Sequence, residues 1–157
     1  MSWESYRSAI VTLPATSSWT RHELAPRPEG EIEGEFPFAG TVHIVTAYNP
    51  GTEIDAFTNA GADAALLDYV LRLGLVFFRV VGSDAEHGGR VEPGFGIVGL
   101  DRDDALDIGR TFGQDAIYEW RADALEILAC AEDDDPAQRE SSAHGWSWTR
   151  VPEARRR

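Results

Sequence analysis

A chain of 157 residues with 43% hydrophobic and 26% charged side chains has the size and composition of one globular domain, which excludes wholesale disorder. A net charge of −13 works against direct contact with a phosphate backbone, and no apolar run approaches the ~20 residues of a membrane span. Cys130 is the only cysteine, so no intrachain disulfide forms; with no lysine there is no Schiff base, pyridoxal attachment, P-loop cation or protein-kinase ATP lysine.

The first residues, Met1-Ser2-Trp3-Glu4-Ser5-Tyr6-Arg7, carry neither a signal-peptide pattern nor a lipidation motif, and the expected location is the cytoplasm. Residues 6–13, with Ile10, Val11 and Leu13, read as a short strand ended by Pro14. Residues 15–40 are rich in proline, glycine and glutamate and predict a long irregular segment with a short edge strand near 31–36. Residues 41–48 (TVHIVTAY) are rich in β-branched side chains and predict a core strand, turned at Asn49-Pro50-Gly51. A helix follows over 59–73, with Leu66, Leu67, Val70 and Leu71 at helical spacing, Thr58 or Asn59 as cap and Gly74 as stop.

Residues 75–81 (LVFFRVV) predict a central strand, 82–94 a polar loop or wide hairpin connection, and 95–100 a third strong strand. A second helix begins at Asp101 and ends at Gly113. Residues 115–120 and 124–130 then form a hairpin. Cys130 ends an apolar run and precedes Glu132-Asp133-Asp134-Asp135, a setting that disfavours a thiolate, so it reads as a buried, inert thiol. Trp146 and Trp148 suggest that the tail docks back onto the body. The expected fold is α+β: a mainly antiparallel sheet of about five to six strands with two helices packed on one face. Residues 1–130 form the single domain, with its core at 40–130, and 131–157 form an acidic, then Trp/Arg-containing tail.

Most motifs dissolve on inspection. Gly94-Phe95-Gly96-Ile97-Val98-Gly99 spells a dinucleotide fingerprint, but Glu92-Pro93 precedes it and its apolar residues form a strand where a helix should open. The four histidines, His22, His43, His87 and His144, are too dispersed for a zinc signature, and His43 reads as a satisfied strand histidine. Asp84, Glu86 and His87 share a polar loop whose spacing matches no established cation site, so neither a metal nor a cofactor is expected.

One constellation remains. Tyr48, Asn49 and Asn59 flank the entry to the longer helix, Glu92 precedes the third strong strand, and Gln114 follows the second helix. Loops at corresponding sheet ends gather such residues beside a helix N-terminus, where free N–H groups favour an anion or a carbonyl. Each also has a local reading: Asn49 for the turn, Asn59 for the cap, Gln114 for a helix exit. The strings Ile44-Val45-Thr46-Ala47-Tyr48-Asn49-Pro50, Asn59, Glu92-Pro93-Gly94-Phe95 and Phe112-Gly113-Gln114-Asp115-Ala116 resemble a bacterial family, domain of unknown function 3293, over about residues 40–130. The resemblance supports the domain and the choice of residues and carries no activity.

Amides beside one carboxylate suit hydrogen-bond recognition, so the first expectation is a binding module for a small polar ligand or a protein, through Tyr48, Asn49, Asn59, Glu92 and Gln114. The second is a cofactor-independent hydrolase or isomerase with Glu92 as general base and His87 as its partner. The third is an acidic interaction protein that antagonises a nucleic-acid-binding partner. Direct contact with nucleic acid or membrane is not expected, and the sequence carries no signature of oligomeric state.

Overall fold

The computed structural model describes residues 3–15, 20–49, 55–84, 89–130 and 142–152. In chain order the elements are α1 (Trp3–Ser8), β1 (Ile10–Leu13), β2 (His22–Arg27), β3 (Ile32–Glu33), β4 (Val42–Thr46), α2 (Ala56–Leu73), β5 (Phe77–Asp84), β6 (Arg90–Val98), α3 (Arg102–Thr111), β7 (Ala116–Trp120), β8 (Leu125–Ala129) and β9 (Ser142–Arg150). The sheet has nine strands in the order β2-β1-β5-β6-β4-β7-β8-β9-β3. Pairing of β2 with β9, from His22 opposite Arg150 to Arg27 opposite Gly145, closes all but β3 into an eight-stranded antiparallel barrel. β3 adds one parallel pairing to β9, with Ile32 opposite Trp146.

The expected α+β arrangement, an open sheet of five to six strands under two helices, is therefore overturned. The barrel wall closes on itself, because two strands without a strong apolar run complete it. β2 (HELAPR) lies inside the Pro/Gly-rich segment, and only Leu24 of its residues is fully buried. Pro26 lies beyond the three residues that pair with β1, so its missing N–H costs no ladder bond on that side. β9 (SAHGWSWTR) buries Trp146 inside and tolerates Gly145 where the 28–31 turn crosses: Gly145 N donates to Pro28 O at 3.1 Å and Trp146 N to Glu31 O at 2.9 Å. A Cβ at Gly145 would collide with both carbonyls. Residues 6–13 are also more than a strand, since α1 covers their first half.

Closure gives the molecule two cores. Inside the barrel, Val11, Leu13, Leu24, Val42, Ile44 and Val80 pack with the aromatic rings of β7 and β9. Trp120 meets Trp146 at 5.5 Å and Phe36 at 5.0 Å, and Phe38 stacks on Phe78 at 4.8 Å, so that end of the barrel is filled by rings. Outside, α2 and α3 cover the opposite face of the wall, where Leu66, Val70, Ala105 and Ile108 pack on Val45, Phe95, Ile97 and Ile117. Arg79 fastens α2 to β5 through a bidentate pair with Asp63, both distances 2.6 Å, while its guanidinium lies 4.2 Å from the centre of the Phe95 ring. Cys130 is buried in the outer core, and burial pushes its thiol up to about 11.

The glycine run 94–99 is strand through Val98. Gly96 faces inward, and a Cβ there would collide with the Phe78 ring, so packing across the barrel explains the glycine. The region 82–94 is mostly ladder rather than loop, with Gly82 opposite Glu92 and Asp84 opposite Arg90.

Candidate functional site

The other end of the barrel is not filled. Because strand side chains alternate, the inward positions beyond Val80 and Ile44 are Gly82, Gly94 and Ala116, which contribute almost no volume. They leave a cavity of about 170 Å³, walled by Val11, Ile44 and Val80 on its apolar side. α1 lies across it and contributes Ser5 and Tyr6 to the lining. Two bonds hold that helix in place: Tyr118 donates its hydroxyl to Tyr6 O at 2.6 Å, and Ser8 donates to Asp84 Oδ1 at 3.2 Å.

Two carboxylates and one guanidinium complete the lining: Asp84, Glu92 and Arg90. Asp84 and Glu92 are only 7% and 8% exposed, which makes their surroundings decisive. Asn49 donates from Nδ2 to Glu92 Oε1 at 2.8 Å. Asn59 in turn fixes Asn49, donating from Nδ2 to Asn49 Oδ1 at 2.9 Å and accepting from Asn49 N at 2.8 Å. Asn49 occupies the left-handed region at φ 48°, a conformation that asparagine tolerates better than most side chains. The Asn49 bond is the one hydrogen bond to the Glu92 carboxylate among the described residues, and Oε2 is not among the buried unpartnered atoms, so it is accessible from the cavity. Burial raises its pKa above the ordinary carboxylate value, with the Asn49 bond and the charge of Arg90 opposing the rise.

Asn49, Asn59 and Glu92 are therefore one hydrogen-bonded chain leading into the cavity. Gln114 joins it at one remove, donating from Nε2 to Tyr48 O at 3.1 Å, so Tyr48 takes part through its backbone. Thr46 closes the turn by donating to Pro93 O at 2.7 Å and accepting from Tyr48 N at 3.0 Å. Pro50, Gly51 and His87 lie outside the described residues, as does Glu86. The expected free helix N-terminus is occupied instead: Asp55 caps α2, accepting from Thr58 N at 2.9 Å, while Asn59 turns away to Asn49. No group of three His, Cys, Asp or Glu among the described residues is placed to hold a metal ion.

Asp84, Arg90, Tyr6 and Tyr118 were not legible as neighbours of Glu92. The available signal was parity: Gly82 and Asp84 on one strand, Glu92 and Gly94 on the next, put small and acidic residues on one face. A second polar cluster also emerges, on the outer wall. Glu119 accepts from His43 Nε2 at 2.8 Å, from Arg102 at 3.0 and 2.6 Å, and from Arg121. Glu126 accepts from Arg121 at 2.8 Å and from Arg102 at 3.1 Å. Burial works against the Glu119 anion, but the bonds from Arg102 and His43 outweigh it and hold the carboxyl at about 2. Burial also lowers the pKa of His43, whose Nδ1 is buried without a partner among the described residues.

Residues 45–117 match the family described as "Protein of unknown function (DUF3293)". That segment contains Asn49, Asn59, Asp84, Glu92 and Gln114 and leaves out β2, β8 and β9. No curated protein and no solved structure matches the chain. No described helix is long and apolar enough to cross a membrane.

Proposed function

We propose that this chain, whose residues 45–117 belong to that family, is a binding module that takes a small polar ligand into the barrel cavity, with Glu92 as the recognition group. One observation carries the reading: a carboxylate only 8% exposed borders an open cavity, is aimed through a two-asparagine chain, and keeps one oxygen accessible from the cavity. Burial disfavours the Glu92 anion, and a ligand that bonds to the accessible oxygen offsets part of that cost on binding. Asn49 and Asn59 act as positioning residues, and Tyr48 and Gln114 hold the turn that carries them.

The test is a thermal-shift screen of small polar molecules on the full chain, repeated on Gly82→Leu. A leucine at this inward position fills the cavity, since a Cβ there meets nothing nearer than Glu92 O at 3.7 Å. Ligands that raise the Tm of the natural chain and leave the folded variant unmoved support the reading; an equal response in both overturns it.

The upward shift of Glu92 favours a second reading, in which the same carboxylate is the general base of a cofactor-independent enzyme. Turnover that survives Glu92→Gln rules this out.

A further inference from the structure

α2 turns one side to the barrel, through Asn59, Leu66 and Val70, and its other side is also largely apolar. At about 100° per residue, Phe57, Ala60, Gly61, Ala64, Asp68 and Leu71 fall opposite the buried side, and all six are exposed. Phe57 is 90% and Leu71 58% exposed, on a chain whose net charge is −13. The charges beside them, Asp68 and Arg72, pair at 2.7 Å and cancel. A helix that is apolar all round is one that is covered all round. Gly61 points the same way. Glycine inside a helix is less stable than alanine, and a Cβ at Gly61 would meet nothing within 4 Å, so no packing within the chain accounts for it. Close approach of a second helix does.

The spacing identifies that helix. Phe57 and Leu71 each lie seven residues from Ala64. A two-fold axis at Ala64 therefore sets two antiparallel α2 helices with Phe57 against Leu71 of the second copy, Ala64 against Ala64 and Asp68 against Ala60. Crossed helices approach most closely at the crossing and diverge on either side. Small residues in the middle and bulky ones at the flanks fill that shape. Charge selects the direction. A parallel pair would set Asp68 against Asp68. The antiparallel pair brings Arg72 to Ala56 of the second copy, beside the Asp55 carboxylate that caps its helix, and symmetry makes this contact twice.

We propose that the outward face of α2 is the contact between two copies of this chain, an antiparallel helix pair crossing at Ala64.

The experiment is sedimentation equilibrium of the full chain over a range of concentrations, beside Ala64→Arg, Ala64→Glu and Phe57→Ala. The natural chain is expected to show a monomer–dimer equilibrium that tightens as salt screens the repulsion between two acidic bodies. Each charged variant sets like charges together on the axis and should be monomeric, while an equal mixture of the two restores the dimer. Phe57→Ala should weaken association by about tenfold or more. Both positions are exposed, so melting curves of the monomers should stay close together, which separates loss of contact from loss of fold. If a charged variant does not fold, Phe57→Ala carries the test. A natural chain that stays monomeric at every concentration overturns the proposal. A dimer that persists unchanged in the folded variants overturns it too, because it must use another surface. A mixture of the charged variants that stays monomeric shows that residue 64 does not lie on the axis, and the antiparallel pair falls.

Discussion

Two glutamates on this barrel are buried to nearly the same degree and behave in opposite ways. Glu119 on β7 is 3% exposed and points out of the barrel, where Arg102, Arg121 and His43 all donate to it. Glu92 on β6 is 8% exposed, points inward and receives one amide. The first carboxyl is held at about 2, the second above its ordinary value. Burial raises both; the number and charge of the partners decide the sign. A buried carboxylate whose lone pairs are filled by two guanidiniums and an imidazole ties structure together, here strands β4 and β7 to the start of α3. One bonded by a single amide beside an open cavity is the group on which the proposed binding rests.

The sharpest way to break the comparison is to remove Glu119. Glu119→Ala leaves two guanidiniums competing for Glu126 and orphans His43 Nε2, and should cost about 3 kcal/mol. That corresponds to a Tm lower by roughly 6–12 °C for a chain of this size, read by calorimetry. A loss below about 1 kcal/mol would mean that the cluster is ordinary surface pairing.

Next in size is Asn49→Ala, which removes the donor to Glu92 and leaves a residue less tolerant of the left-handed region at φ 48°. We expect a loss of roughly 1–3 kcal/mol in urea unfolding and a further rise in the Glu92 pKa. A Glu92 pKa that does not move would show that the amide is not what steadies the anion.

Glu92→Gln should have the smallest effect and the opposite sign. The folded-state pKa of Glu92 lies above the unfolded one, so its contribution is present below the unfolded value, near 4.5, and is lost as pH rises through the folded value. At pH 7 the glutamine variant should therefore match or exceed the natural chain by up to about 1 kcal/mol, with the difference vanishing below about pH 4. Glu119 runs the other way: its pKa is depressed, so its stabilisation is full above 4.5 and disappears as pH falls towards about 2. Unfolding curves between pH 2 and pH 7 on the natural chain and Glu92→Gln separate the two.

The sequence announced the elements with strong local signals. The hairpin of β7 and β8, the strand at β4 and the helices ending near Gly74 and Gly113 sit close to where periodicity and punctuation put them. Closure was not legible, because β2 and β9 each bury few side chains and owe their position to pairing with one another over six residues. The site followed the same rule. Asn49, Asn59 and Glu92 were visible as unusual polar residues near turns, and local chemistry brings the two asparagines together. The cavity depends on which face of β5 and β6 turns inward, and that is settled only by the closed barrel. The His43–Glu119 pair lay 76 residues apart on neighbouring strands, with no local sign of either partner.

The most direct measurement is a carboxyl-carbon NMR titration of the full chain, with Glu92 and Glu119 assigned through their glutamine variants. Glu92 should titrate above 4.5 and Glu119 at about 2. If Glu92 titrates at or below the ordinary value, its carboxylate is already satisfied, and the distinction between a structural and a functional buried acid in this barrel is wrong.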